Sequence, residues 1–564
     1  MPASPAPARG GAYDLFEYPG YAYPATHPAR LEAIARLFGL RPGAAAQSRV
    51  LEFGCGDGGN LLSLAQALPG ARLVGIDVAP SAVERGMRLA RAAGLENVEL
   101  RCMDLEELSE GGDLGEAGSF DYILSHGVYS WIPPRARVAL LAGVRRYLMP
   151  MGVAYVSYNA YPGSYLRDMA RDILGYHVRH IEDPQRKLAA ARELMETIVA
   201  IEAPSPYAQV LREHMERMLR YSTALLFHDD LAEISTPFYF HEFMDHAAHH
   251  RLAFLAEADL FESQMREVPD GAGRLMEGLP DDVLVREQYL DFFKNRMFRQ
   301  TLLCHADAPV RRELDEGAVE LMVVSSQARP VEPEAALSEA NRDGDEGETA
   351  PGEANRDGDK GETAPGETEG DEDAGETVSM QEATQDANEP APEQTVGELP
   401  SATFATAEGF SMTTTEPLVI VTMRALADAW PASVGFPTLL ARASEAAGSE
   451  APRELVAARL CSVLLQAHLA RIVTLQGCPP PLLNHASERP TASPLARAQH
   501  ASGLPAVSSL LHANVRLEGE LEPRLLPLLD GRRTAAGLAD VLDVPASRVD
   551  EVLRRLASIG LLAG

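Results

Sequence analysis

The residues best suited to chemistry lie in one glycine-rich stretch, VLEFGCGDGGN, at residues 50–60. A short apolar run leads directly into four positions that lack a Cβ atom, namely Gly54, Gly56, Gly58 and Gly59. Glycine accepts positive φ angles and lets a ligand lie against the backbone. A helix that begins after such a turn offers unpaired N–H groups to a polar or anionic group. The stretch therefore predicts a ligand-binding turn between a strand and a helix.

Three acidic residues around this turn indicate which ligand it holds. Glu52 lies within the first strand pattern, where a buried carboxylate is costly unless it is paired or hydrogen-bonded. Asp77 ends the second strand pattern, where a carboxylate can accept ribose hydroxyls. Asp104 follows the third and is placed to accept an adenine amino group, with Met103 or Leu105 against the ring. Taken singly, each acid has a structural alternative: helix capping by Asp77, a loop or capping position for Asp104, and bonds to loop amides for Glu52.

The glycines also fit the G-x-G-x-x-G spacing of nicotinamide dinucleotide sites, so their spacing alone leaves two ligands open. A pyrophosphate is disfavoured beside several carboxylates. A sulfonium that carries an amino-acid tail is cationic and tolerates them. The three acids therefore favour S-adenosyl-L-methionine as the cofactor, with a nicotinamide dinucleotide as the alternative.

Histidine and aromatic side chains follow the fourth strand pattern, in SHGVYSWIPP at residues 125–134. Ligands of open α/β sheets bind at the carboxyl ends of the strands, so these side chains are placed beside the ligand. Upstream, the region of Tyr21, Tyr23 and Thr26 precedes the sheet and is predicted to fold over the cofactor as a lid. The candidate catalytic residues are His27, His126, Tyr129 and Trp131. Structural hydrogen bonds for the histidines and simple packing for the aromatic rings are the alternatives.

The elements that must position these residues alternate between short β-like runs and helical stretches. The predicted strands are residues 49–53, 71–77, 97–102, 120–126, 152–160, 252–259 and 298–306. Strands separated by helices indicate an α/β fold with a parallel, doubly wound sheet, here Rossmann-like with seven strands. Residues 164–232 break the alternation and predict an inserted helical cap.

The second half of the chain begins with a segment of unusual composition. Residues 331–400 hold 22 acidic and 3 basic residues, and a 14-residue repeat occupies 339–352 and 353–366. Such a segment buries too little apolar surface to fold, so 327–408 is predicted to be a disordered acidic linker. Residues 409–564 are predicted to form a mostly helical, winged-helix-like domain. The other predicted boundaries are a lid at 1–48, an S-adenosylmethionine-binding core at 49–163 and a region completing the sheet at 233–326.

Composition narrows the class of protein. The chain has 564 residues and a net charge of −32, most of it in the linker, and no basic stripe, so nucleic-acid binding is not expected. Five scattered cysteines without ligand spacing predict neither disulfides nor a zinc site, and the histidines in HAAHH (246–250) are read as helix packing, so no metal is expected. No apolar run is long enough for a signal sequence or a membrane span, and a cytoplasmic protein is the expectation.

Several stretches together resemble one family. Besides the glycine turn, these are YPGYAYPATHP (18–28), SHGVYSW (125–131), FYFHEFMDHAAHHRLAFLAEAD (238–259) and FFKNRMFRQTLLCH (292–305). They resemble class I S-adenosylmethionine-dependent methyltransferases with a methyltransferase regulatory domain, and especially the bacterial enzymes that methylate lysines of outer-membrane proteins. The resemblance implies that the cofactor is held by Glu52, Gly54, Gly56, Gly58, Asp77, Asp104 and Leu105.

The resemblance also implies a protein substrate with a lysine acceptor. Since a free lysine has a pKa of about 10.4, the acceptor must lose a proton, for which His126 is a candidate base. The rings of Tyr129 and Trp131 are candidates to hold the ammonium by cation–π contact. The alternatives are a small-molecule N- or O-methyltransferase and a cofactor-binding interaction protein without turnover.

Overall fold

A central sheet of seven strands, drawn from residues between Arg49 and His305, is the main feature of the computed structural model. The structure describes residues 20–563 apart from 109–111, 113, 267, 270, 332–377, 380–400, 449–450 and 483–486. The strands are β1 (Arg49–Phe53), β2 (Arg72–Asp77), β3 (Val98–Cys102), β4 (Phe120–Ser125), β5 (Leu148–Asn159), β6 (Leu252–Glu257) and β7 (Phe298–His305). Their order across the sheet is β3-β2-β1-β4-β5-β7-β6. The predicted Rossmann-like, seven-stranded sheet is confirmed.

Helices cover both faces of this sheet. Successive side chains of a strand point to opposite sides, and here both sets are apolar and need to be buried. In β1, Val50 belongs to the hydrophobic core on one face, and Leu51 and Phe53 belong to the core on the other. The helices of this part are α1 (Pro28–Leu37), α2 (Gly59–Ala67), α3 (Pro80–Ala93), α4 (Pro134–Tyr147), α9 (Phe240–His249), α10 (Ala272–Glu277) and α11 (Val283–Phe293). The sheet is therefore buried on both sides, as its nearly continuous apolar strands predict.

The prediction of an all-parallel sheet is wrong for one strand. The strands β1 to β5 pair in parallel, but β7 runs antiparallel to both β5 and β6. Alternation of strands and helices does not fix strand direction when the last strand is inserted between two others. The carboxyl ends of β1 to β4 still meet at one edge of the sheet, so the site prediction is unaffected.

The predicted helical insertion is confirmed. Residues between β5 and α9 form α5 (Ser164–Val178), α6 (Pro184–Ala200), α7 (Pro206–Leu219) and α8 (Thr223–Leu225), which continues as a π-helical turn at Leu226–Asp230. These helices enclose a small core of their own, in which Leu174, Met195 and Met215 are fully buried. The insertion is therefore a packed unit attached to the carboxyl edge of the sheet.

The prediction of a disordered linker at 327–408 is wrong at both ends of that range. Its flanks are ordered, because β9 (Arg329–Val331) pairs antiparallel with β11 (Ala402–Ala405), which also pairs with β12 (Ser411–Thr414). A further strand, β10 (Val378–Ser379), pairs with β12. The rest of the predicted disordered segment, residues 332–400, lies outside the described ranges apart from β10. Because β9 precedes the acidic segment and β11 follows it, their pairing joins the two sides of that segment in one small sheet.

The remaining part of the chain is mostly helical, as predicted. Two short strands, β8 (Val323–Ser325) and β13 (Val434–Gly435), pair with each other, and β14 (Thr474–Gln476) pairs with β8. The helices are α12 (Pro417–Ala429), α13 (Phe436–Ala447), α14 (Arg453–Leu469), α15 (Pro494–Ala501), α16 (Leu521–Leu525), α17 (Ala535–Leu542) and α18 (Ala546–Ser558). Residues 492–562 enclose a separate core and include the strand pairs β15 (Thr491–Ala492) with β18 (Leu562–Ala563) and β16 (Val507–Ser508) with β17 (Asn514–Val515). This last unit has the helix and strand content of a winged helix.

The hydropathy of the helices bears on whether any of them could cross a membrane. Within the ranges that the structure describes, no helix combines the length and the apolar character needed to cross a bilayer.

Candidate cofactor and acceptor site

The glycine-rich turn after β1 has the positive φ angles that its sequence predicts. Gly54, Gly56 and Gly58 have φ angles of 71°, 56° and 77°. At Gly54 a Cβ atom would lie 2.4 Å from Cγ2 of Val128, whereas at Gly56 nothing lies within 4 Å. The turn is thus packed at Gly54 and open at Gly56. Open space beside a bare backbone is what a bound ligand requires.

Asp77 at the end of β2 holds this turn in place. Its Oδ2 accepts a hydrogen bond of 2.8 Å from the Gly56 N–H, and its Oδ1 accepts one of 2.9 Å from the Ala79 N–H. Burial raises the pKa of Asp77, and these backbone bonds oppose that rise. The sequence prediction gave both oxygens to a ribose. The structure shows that each already has a backbone donor, and each retains acceptor capacity for a ligand.

Glu52 on β1 is the most deeply buried acid of the site. Its side chain is 3% exposed, and its Oε1 accepts a 2.9 Å bond from Nδ2 of Asn60. Within the described residues its Oε2 has no hydrogen-bond partner. Burial raises the pKa of Glu52 to about 8; the bond from Asn60 opposes this and the charge of Asp77 adds to it. An orphaned oxygen beside the cavity is a site for a cationic or N–H-bearing group of a ligand.

The N-terminal segment Gly20–Thr26, called here the lid, lies directly on the glycine turn. A Cβ atom on Gly59 would meet the carbonyl carbon of Gly20 at 2.4 Å, so only glycine permits this approach. Asn60 ties the lid down, because its Oδ1 accepts bonds from the Tyr23 N–H (3.0 Å) and the Thr26 hydroxyl (3.1 Å). Asn60 thereby links the lid to Glu52. The sequence prediction placed the lid over the site but assigned no role to Asn60.

Asp104 and Leu105 lie after β3, as predicted, and both line the same cavity as the glycine turn. Asp104 Oδ1 accepts a 3.0 Å bond from the Glu106 N–H at the start of the 3-10 helix Leu105–Leu108. Its second oxygen is not used in that bond. Leu105 is 9% exposed and packs into the core beneath. Asp104 therefore combines a capping role with a position at the cavity.

His126, a predicted catalytic residue, lies between the lid and β5 in the same cavity as the cofactor residues. Its ring stacks on Tyr23 of the lid, with centroids 3.7 Å apart, and it lines the cavity. Its Nδ1 lies 2.8 Å from the Tyr155 hydroxyl, and Phe298 packs edge-on at 5.9 Å. Tyr155 comes from β5, and burial raises its pKa, which keeps it a hydroxyl. His126 thus has one nitrogen fixed by a neutral partner and its ring held by the lid.

Two predicted aromatic residues have other surroundings than expected. Tyr129 is fully buried in the core, packs against Phe243 at 5.1 Å, and bonds Nδ1 of His246 at 3.0 Å, so it does not contact the cavity. Trp131 lines the cavity, but the guanidinium groups of Arg167 and Arg171 lie 5.8 and 5.7 Å from its ring centroid. Tyr129 therefore lies outside the lining of the cavity where the predicted cation–π contact would form, and the cations at Trp131 are the protein's own.

His27 has the structural role that the sequence left open. It caps α1, with its Nδ1 accepting a 3.1 Å bond from the Ala29 N–H. Burial, aided by the charge of Arg30, lowers the pKa of His27 to about 4, so the ring is neutral near pH 7. A histidine whose lone pair is committed to a helix cap is a poor base. His27 lines the cavity, and the contact that the structure shows for its Nδ1 is the cap of α1 behind the lid.

A cavity of about 3590 Å³ opens from the glycine turn. Its walls come from the lid, the carboxyl ends of β1 to β4, the helical insertion, β6, β7 and the C-terminal part of the chain. Sites for small molecules are usually about 300–1,000 Å³. The cavity therefore has room for a cofactor and for a much larger second ligand.

One wall of the cavity is an ion pair between distant parts of the chain. Arg471, after α14, donates 2.8 Å bonds to Asp259 and to Glu262, which follow β6. Its guanidinium also lies over the ring of Phe261, 4.2 Å from the centroid. Arg471 and Glu262 lie in no quoted sequence motif, and more than 200 positions separate the two sides, so the sequence carries no signal for this pairing.

The residues present fit S-adenosylmethionine. The sulfonium and the amino group are cationic, and the acids Glu52, Asp77 and Asp104 surround an open backbone at Gly56. The orphaned Oε2 of Glu52 adds a buried acceptor without a partner in the described part of the chain. The buried carboxylate of Glu52 and the carboxylate of Asp77 beside the turn disfavour a pyrophosphate, and with it the dinucleotide alternative.

Three family models match the chain. They are "Methyltransferase domain" at residues 50–152, "Predicted methyltransferase regulatory domain" at 222–305, and "PKMT, C-terminal winged helix domain" at 488–548. The first contains β1 from its second residue, β2 to β4, the glycine turn and the first five residues of β5, and the last contains α15 to α17.

Relatives and a solved structure agree with these matches. The uncharacterized protein RP028 of Rickettsia prowazekii (strain Madrid E) is 33% identical over 238 residues, which is 42% of this chain and 93% of that protein. RP789 of the same organism is 33% identical over 323 residues, and this chain spans 57% of its length. PKMT2 from Rickettsia typhi, solved in complex with AdoHcy, is 23% identical with a TM-score of 0.74, covering 97% of this chain and all of that one. At this identity the structural likeness establishes the fold.

Proposed function

We propose that this chain, which belongs to the S-adenosylmethionine-dependent methyltransferases that carry a methyltransferase regulatory domain, transfers methyl groups to lysine side chains of a protein. The observation that carries the proposal is the cavity of about 3590 Å³, which continues from the glycine turn to the C-terminal part of the chain. A polypeptide segment needs such room, whereas a small acceptor does not. The C-terminal match to PKMT winged-helix domains supports the same acceptor class.

The cofactor end of the cavity is assigned to the residues around the glycine turn. Glu52 Oε2 accepts from the cationic amino-acid part, and the open backbone at Gly56 lies against it. Asp77 and Asp104 take the ribose and the adenine, with Leu105 against the base. Gly54 and Gly58 supply the positive φ angles that shape the turn. The bound cofactor supplies an electrophilic methyl group on a cationic sulfur.

The acceptor end is assigned to the region of His126. In-line transfer needs a neutral amine held about 3 Å from the methyl carbon in a site with little water. His126 lies between the lid and β5, and its Nδ1 is fixed by Tyr155. We assign it the acceptance of the lysine proton, which burial of the amine also promotes. Tyr129 and His27 are assigned structural roles.

Label transfer tests the proposal. The purified full chain is incubated with S-adenosylmethionine labelled in its methyl group and a bacterial lysate, and labelled proteins are hydrolysed to identify the methylated amino acid. Methyllysine in protein is the expected product. The His126→Ala variant, which is the matched control, is expected to bind S-adenosylhomocysteine but to transfer no label.

Two other results would contradict the proposal. Label in small metabolites would make the chain a small-molecule methyltransferase. Tight binding of S-adenosylhomocysteine without any transfer would make it a cofactor-binding interaction protein. We also propose a reducing, cytoplasmic location, because all five cysteines are free thiols.

A further inference from the structure

The winged-helix unit touches the cofactor lid through one hairpin. The hairpin joins β16 to β17, and its residues Leu511, Ala513 and Arg516 line the same cavity as the glycine turn. The unit also lies against the helices that follow the turn, since α15 packs on α2 and α3. The hairpin is therefore part of the wall around the cofactor residues.

Asn514 on this hairpin binds the backbone of the lid in both directions. Its Oδ1 accepts a 2.9 Å bond from the Ala22 N–H, and its Nδ2 donates a 2.9 Å bond to the Ala22 carbonyl. Ala22 precedes Tyr23, which stacks on His126 and whose N–H binds Asn60. A carboxamide that satisfies both backbone groups of one residue fixes the position of that residue.

His512, two residues earlier, reinforces this contact. It is fully buried, and its Nδ1 lies 2.9 Å from the Ser63 hydroxyl of α2 and its Nε2 3.5 Å from the Thr26 hydroxyl of the lid. Its backbone has a φ of 56°, a left-handed conformation that is uncommon for histidine. His512 thus joins the lid to the helix that begins at the glycine turn.

We propose that Asn514 and His512 are positioning residues that hold the lid on the cofactor, so that the winged-helix unit completes the cofactor site. The inference rests on the cofactor of the proposed function but not on its acceptor. Without these contacts the lid keeps its bonds to Asn60 and loses its support from the far side. The cofactor would then be held by the glycine turn and the acids alone.

The test compares Asn514→Ala with Gln66→Ala in the full chain. Gln66 Oε1 accepts bonds from the Ser493 hydroxyl and the Leu495 N–H, so its variant also removes two hydrogen bonds between α2 and the winged-helix unit. It does not contact the lid. Calorimetry with S-adenosylhomocysteine measures the dissociation constant, and hydrogen exchange of the amides of Ala22–Thr26 in the ligand-free protein measures opening of the lid.

Asn514→Ala is expected to raise the dissociation constant roughly five- to tenfold, as the loss of two partly exposed hydrogen bonds implies, and to speed lid exchange. Gln66→Ala is expected to change neither. Asn514→Asp keeps the size and the acceptor but loses the donor to the Ala22 carbonyl. It is expected to weaken binding and speed lid exchange in the same way, and it serves as the test variant if Asn514→Ala folds poorly.

A dissociation constant within twofold of the wild-type value in both Asn514 variants would overturn the inference. An equal effect of Gln66→Ala would also overturn it, because the interface as a whole would then be responsible. Failure of the wild-type chain to bind S-adenosylhomocysteine would instead contradict the proposed function, and lid exchange would still decide the role of Asn514.

Discussion

Burial gives Glu52 an unusual titration. Its pKa is raised from 4.5 to about 8, so between these pH values the folded chain binds a proton that the unfolded chain has lost. Stability therefore falls as the pH rises through this window, because the carboxylate must ionise without a second partner. A cationic ligand beside Oε2 favours the ionised form and is expected to release this proton on binding.

Glu52→Gln tests this titration, since the amide keeps the size and cannot ionise. The variant is expected to gain stability relative to the wild type as the pH rises from about 5 to about 8.5, and to bind S-adenosylhomocysteine at least roughly tenfold more weakly, since a bond to a charged group is lost. Urea denaturation at the two pH values and calorimetry measure these effects. A stability difference that does not change with pH would contradict the burial of an ionisable group at this position.

His126 and Tyr129 lie within four positions of the chain, but His126 lines the cavity and Tyr129 is buried in the core. Tyr129→Phe removes only the hydroxyl that bonds His246, so it is expected to cost about 1 kcal/mol of stability and to leave turnover within about twofold. His126→Ala is expected to reduce turnover at least about 100-fold, which is the usual contribution of a general base. Initial rates of methyl transfer and denaturation curves measure both. Loss of turnover in Tyr129→Phe would return that residue to the acceptor site.

At the scale of elements, the glycine turn allows two substitutions to be compared at similar backbone angles. In Gly54→Ala the new methyl group meets Val128 at 2.4 Å, and in Gly56→Ala it meets nothing within 4 Å. Both pay the left-handed strain of about 1 kcal/mol or more. Gly54→Ala is therefore expected to be clearly less stable than Gly56→Ala, whereas Gly56→Ala chiefly weakens cofactor binding. Thermal denaturation and calorimetry measure this, and equal stability losses would show that Val128 moves aside.

The elements themselves were largely predictable from sequence, because their signals are local. All seven strands were placed within a few residues, and the turn at Gly54–Gly58 was identified by composition alone. The direction of β7 was not, since apolar runs carry no information on which neighbour a strand joins. Tyr129 was misplaced for a related reason, because its position after β4 does not reveal that α9 covers its ring.

At the scale of the whole molecule, the site depends on contacts that no local pattern predicts. Arg471 and Asn514 reach the cavity and the lid from the C-terminal part, about 210 and 492 positions away from their partners. Asp259 illustrates the electrostatic consequence. Burial alone would raise its pKa, but Arg471 and Arg30 outweigh this and lower it. Asp259 therefore stabilises the fold above its unfolded pKa of 3.8, and this contribution is lost as the pH falls through the lower folded value.

Arg471→Met removes the cation that Asp259 and Glu262 share. At about pH 7 the variant is expected to lose about 1–3 kcal/mol, the usual cost when partly buried charge-assisted bonds are removed. The loss should shrink at strongly acidic pH, at about pH 2, because the carboxyl group of Asp259 becomes protonated as the pH falls through its lowered pKa. Urea denaturation at the two pH values measures it, with Arg459→Met, which breaks an exposed pair with Glu416, as the control expected to cost less than about 1 kcal/mol. A loss that is the same at both pH values would mean that Arg471 joins the two parts by packing on Phe261 rather than by its charge.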